Sequence, residues 1–119
     1  MPRRDDGHPI SVTPFAGRVR VHRDGVHIAD SGHALALEEA DYPTVFYLPR
    51  GDVAMDRLTP SDHRTHCPHK GEARYFSLDG EGGDNAVWSY ETPYPAVAAI
   101  KGHLAFYPDK VELEVLPPG

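Results

Sequence analysis

Residues 18–28 read RVRVHRDGVHI, and this stretch decides the fold. Val19 and Val21 alternate with Arg18, Arg20 and His22, which is the period-two pattern of a strand with one buried face. Asp24-Gly25 follows, a dipeptide that accepts the backbone angles of a two-residue hairpin turn. Val26 and Ile28 then resume the alternation. The stretch predicts an antiparallel hairpin.

Reading outward, residues 1–9 are polar and broken by Pro2, Gly7 and Pro9, so they read as a loose tail. The organisation expected is a tail and lead-in over 1–17 and a single domain over 18–119. Residues 34–37 extend the sheet after a turn at Ser31-Gly32. Residues 44–48 (TVFYL) are strand formers that stop at Pro49. Residues 50–52 are a turn, and 53–58 fit a strand or a helical turn equally. Residues 60–71 (PSDHRTHCPHKG) lack periodicity and read as a loop, long enough to be of functional interest. Residues 72–78 and 85–90 read as strands around the Gly-rich turn at 80–83. Residues 92–102 read as the one helix, short and centred on 95–101, with Pro95 in its first turn and Gly102 as its cap. Residues 103–107, a Pro108-Asp109 turn and residues 110–116 read as a final hairpin. The sum is a mainly β, antiparallel domain, sandwich-like or a partly open barrel.

Composition agrees and excludes several classes. At 119 residues and 13.1 kDa the chain suits one domain. Twelve prolines and eleven glycines argue against long helices and coiled coils. A net charge of −6 with only Arg18, Arg20 and Arg23 clustered argues against nucleic-acid binding. No apolar run approaches the ~20 residues that span a bilayer, so no membrane partner is expected. The opening MPRRDDGHPI has no apolar segment of a secretory signal, and a cytoplasmic location is the expectation. The single cysteine, Cys67, forbids an intrachain disulfide.

Two long stretches carry a resemblance. YLPRGDVAMDRLTPSDHRTHCPHKG (47–71) and AVWSYETPYPAVAAIKGHLAFYPDKV (86–111) closely resemble the bacterial "domain of unknown function 427" family, with THCPHKG, WSY and IKGHLAFYPDKV in order. The likeness runs from about Arg18 to Val115. It implies an antiparallel β-tent, similar to the methionine sulfoxide reductase B and cereblon ligand-binding folds. Those relatives commonly hold zinc with two CxxC pairs. With one cysteine, this chain is expected to carry no such metal and no cofactor. Members of the family are sometimes labelled nucleotidyltransferase-like. The sequence has neither a Gly-Ser followed by paired aspartates nor a GxxxxGK[ST] phosphate cradle.

Two constellations could carry chemistry. Cys67 with His66 and Lys70 is a candidate catalytic set, because adjacent cationic groups favour a thiolate nucleophile. The plainer reading is a small buried side chain flanked by solvated histidines. Four N/S donors in 63–69 also resemble a metal cluster on paper, but zinc ligands usually come from two separated segments, and no metal is expected. The second constellation is aromatic. If Tyr75 pairs with Trp88, then Tyr75, Trp88 and Tyr90 share one strand face, while Phe76 and Val87 share the other. Beside Tyr47, Arg50 and Lys70, they would make a ligand-binding pocket; the alternative is plain core. The reading that follows is a small β domain binding a small molecule, planar or anionic. Its rivals are an enzyme using Cys67 in thiol or redox chemistry, and a protein-interaction module.

Overall fold

Arg18–Arg23 (β2) and Val26–Ser31 (β3) pair antiparallel, with the expected turn between them. Asp24 and Gly25 have φ angles of 51° and 79°, as a type I′ turn requires. Val19 and Val21 face inward and are fully buried. The computed structural model describes residues 10–118, so the reading of residues 1–9 as a tail lies outside the described residues.

Three antiparallel sheets build the molecule, which is mainly β. The first has the order β1-β4-β5, from Ile10–Pro14 (β1), Leu35–Glu39 (β4) and Val45–Tyr47 (β5). The second places Glu112–Leu116 (β10) against β2, and β2 against β3. The third runs Leu58–Cys67 (β6), Gly71–Leu78 (β7), Val87–Ser89 (β8) and Ala105–Phe106 (β9) in sequential order. Single bridges at Ala29–Val53 and Leu48–Leu104 tie neighbouring segments together.

The third sheet separates two cores, because successive side chains of a strand leave on opposite faces. Phe76, Leu78 and Val87 join Val19, Val21, Leu48 and Leu104 on one side. Ala73 and Tyr75 join Leu37, Tyr47, Tyr90, Val97 and Ile100 on the other. The register Tyr75–Trp88 and Phe76–Val87 is the one expected from the sequence.

Four local expectations are corrected. Residues 10–14, read as lead-in, form β1 and pair with all of β4. Most of the expected loop at 60–71 is strand: β6 runs to Cys67, and only residues 68–70 turn. Its side chains are largely exposed and polar because it is a sheet edge, so it carries no hydrophobic alternation; Pro60 and a register shift between Pro60 and Arg64 further mask it. The helix at 92–102 is a 3-10 segment, Pro95–Ile100, interrupted at Val97, whose φ of −125° is not helical. The final hairpin is absent. β9 pairs with β8, and after the Pro108-Asp109 turn β10 crosses to the second sheet and pairs with β2.

One cation fastens three of these segments. Arg23, at the end of β2, donates Nε to the Asp79 carbonyl at 3.3 Å, Nη1 to the Lys110 carbonyl and Nη2 to the Glu81 carbonyl. Arg23→Ala removes three charged donors, two of them from exposed acceptors that water can satisfy instead, and its expected cost is about 1–2 kcal/mol, read as a lower denaturant midpoint at unchanged m-value. Arg23→Lys should recover only part, since an ammonium lacks the planar fork.

Candidate functional site

The three sheets converge on an open groove of about 590 Å³. The segment after β4 supplies Tyr42, Pro43 and Thr44, and β5 adds Val45 and Phe46. The third sheet contributes Trp88 and Phe106, followed by Tyr107 and Pro108. Leu113 closes the wall from β10. Glu39 and His69 stand at the polar end. Walls that are mainly aromatic and aliphatic, with a few polar groups, suit a ligand that is apolar in body.

Trp88 is the fixed element of that wall. Its ring lies 4.5 Å from that of Tyr107, centroid to centroid, at an interplanar angle of 45°. Its Nε1 donates to the Tyr47 hydroxyl at 3.2 Å, and the Tyr47 ring meets it edge-on. The indole is therefore held by its inner edge while part of it stays exposed. Burial pushes the Tyr107 hydroxyl up to about 12, helped by its hydrogen bond with Tyr75.

The other expected site residues are distributed differently. Tyr47, Tyr75 and Tyr90 are 1%, 6% and 6% exposed, and all belong to the second core. They back the groove through Trp88 and do not line it. The Tyr75 hydroxyl meets Thr65 Oγ1 at 2.9 Å, and its ring lies 4.5 Å from that of His63. Desolvation raises the hydroxyls of both Tyr47 and Tyr90 above the ordinary range. Arg50 sits on the opposite side of the third sheet, donating to the Gly102 carbonyl and to Glu91 at 3.1 Å each. Its turn, 50–52, packs it near Phe76 rather than near Trp88.

The candidate catalytic set is also divided. Cys67 is half-buried and packs against the second core. His66, its neighbour in β6, leaves on the other face and meets the Tyr94 hydroxyl at 3.4 Å. Lys70 is 8% exposed, and its Nζ donates to Glu39 Oε1 at 2.7 Å. The ammonium is thus committed to a carboxylate on the groove wall. Among the described residues, no three or more His, Cys, Asp and Glu side chains gather as metal ligands.

Sequence reasoning missed most of the groove. Its lining comes from 42–46, 106–108 and 113, which meet only in three dimensions. One signal was present: Tyr42-Pro43 and Tyr107-Pro108 each place an aromatic ring beside a proline.

The family described as Domain of unknown function (DUF427) matches residues 11–116. The chain belongs to the DUF427 family. No curated protein matches the chain. The match spans β1 to β10, so the groove and both cores of this DUF427 domain lie within the shared region. No helix among the described residues is long and apolar enough to cross a membrane.

Proposed function

We propose that this DUF427 domain binds a small molecule with a flat, apolar body in the groove walled by Trp88. The observation that carries the reading is the convergence of three sheets on one aromatic cleft of about 590 Å³, within the usual size range of ligand sites. Trp88 and Tyr107 offer ring faces and edges for stacking. The charged group on the wall is Glu39, already joined to Lys70, so an anionic group gains little there. A neutral or hydrogen-bond-donating end at Glu39 and His69 fits the polar rim better.

A thermal-shift screen of flat heteroaromatic compounds tests this, read together with Trp88 emission. A ligand at a hundredfold excess over its Kd stabilises the native state by about 2.7 kcal/mol, several degrees for a domain this size. Trp88 is the only tryptophan, so emission reports the groove directly. We expect a neutral quencher to reach part of it in the free protein and less of it in the complex. Thr44→Phe, which fills the mouth from an exposed position without adding a second indole, should abolish both responses while leaving the fold intact. Fully quencher-resistant emission in the free protein, or hits whose binding survives Thr44→Phe, would overturn the proposal.

A further inference from the structure

The opposite face of the third sheet carries an arrangement that the groove does not use. Arg64 on β6 lies directly across from Arg74 on β7, a like-charge pair that is unfavourable without a counter-charge. Arg50 approaches from its 3-10 turn, and the Cζ atoms of Arg50 and Arg74 lie over the Phe76 ring, 5.8 and 4.7 Å from its centroid. Glu91 reaches both, with its Oε2 3.1 Å from Arg50 Nη2 and 3.5 Å from Arg74 Nη1. A small recess of about 200 Å³ opens here, lined by Arg64, Glu72, Arg74, Glu91 and Thr92.

Two buried polar atoms on this face are left unsatisfied. Arg74 Nε is shielded from solvent and has no hydrogen-bond partner among the described residues. Ser89 is fully buried, and its Oγ is likewise without a partner. Arg74 and Ser89 are cross-strand neighbours, so both orphans sit on one face of the sheet beside the recess. Three arginines and two acidic residues, Glu72 and Glu91, share this face, an excess of one formal positive charge; Arg64 is exposed and its Nη1 donates to the Ser61 and His63 carbonyls at 2.8 and 2.9 Å. The Glu91 side chain is 41% exposed and can swing outward.

We propose that Arg50, Arg64 and Arg74 form a binding site for a small oxyanion, a carboxylate or phosphate group, and that Glu91 is an internal stand-in which the ligand displaces. Guanidinium forks match both groups in bidentate geometry. The recess, about 200 Å³, admits a headgroup of that size. It lies on the far side of the sheet from Trp88, so the two sites are separate.

The test follows the arginine Nε–H resonances of the full chain by NMR while inorganic phosphate or acetate is added at constant ionic strength. The Arg74 Nε–H signal is expected to move and saturate with one or both anions; the tighter of the two identifies the preferred oxyanion. Glu91→Gln removes the competitor and should tighten binding about fivefold to tenfold. Arg74→Gln should abolish saturation, and Arg50→Gln serves the same purpose if that variant does not fold. Shifts that stay linear and match those of chloride would overturn the proposal. So would an affinity unchanged in Glu91→Gln, since a merely structural arginine cluster would weaken, not strengthen, when its carboxylate is lost.

Discussion

Raising the pH above about 10 should unfold this protein steeply, and the ionised rings of Tyr47 and Tyr90 should appear only as it unfolds. Burial favours the neutral phenol, so both hydroxyls titrate higher in the folded chain than in the unfolded one. Stabilisation from a raised pKa is complete below the unfolded value near 10 and is lost as pH climbs toward the folded value. Each such ring contributes a slope of about 1.4 kcal/mol per pH unit in that window, so the pair contributes about 3. Tyr107 adds a smaller, solvent-screened share between about 10 and 12. A domain stable by 5–15 kcal/mol cannot absorb that for more than a few units. The measurement is tyrosinate absorbance followed together with near-ultraviolet circular dichroism. Complete ionisation of all six tyrosines with the tertiary signal intact would contradict the packing described here.

Tyr47→Ala is expected to cost about 3–5 kcal/mol, among the largest effects of any single substitution in the chain. The ring is 1% exposed and packs with Leu37, Tyr75, Tyr90, Val97 and Ile100. Its removal leaves a void in the second core and strips the acceptor from Trp88 Nε1. Tyr47→Phe separates the two effects. It keeps the ring, loses only the acceptor and should cost about 1–2 kcal/mol. Its telling readout is the indole: freed of its anchor, Trp88 should show altered emission and easier quenching. Chemical denaturation with a single set of m-values checks the stabilities. Equal costs for the two variants would mean that the hydroxyl, not the ring, holds this core.

Local chemistry explains which parts were legible in the sequence. The turn at Asp24-Gly25 and the valines of β2 announced their hairpin because one face is buried and the other wet. The two strands around the Gly-rich turn at 80–83 were legible, and the Tyr75–Trp88 pairing was one register they allowed, which the structure adopts. β6 escaped because an edge strand needs no apolar face, and THCPHKG reads as loop however it is folded. β10 was read as a partner for β9 because adjacent strands usually pair; its true partner, β2, is distant in sequence. The aromatic residues were visible as a set, but inside and outside were not. Only the crossing of β4, β5 and the third sheet buries Tyr47, Tyr75 and Tyr90 while leaving Trp88 at the surface. Lys70 could not be matched with Glu39 from sequence, since a turn and β1 pairing set that contact.

The pairing of β10 with β2 also bears on how the chain matures. Glu112 lies opposite His22 and Leu116 opposite Arg18, so β2 waits at the ribosome for a strand made after all the others described. Until then β2 has β3 on one side and an open edge on the other, with Val19 and Val21 uncovered by Val111 and Leu113. Arg23 cannot reach the Lys110 carbonyl during that interval either. The nascent domain therefore exposes a sticky hairpin for most of its synthesis, and chaperone demand and aggregation should peak in this window rather than in the finished protein.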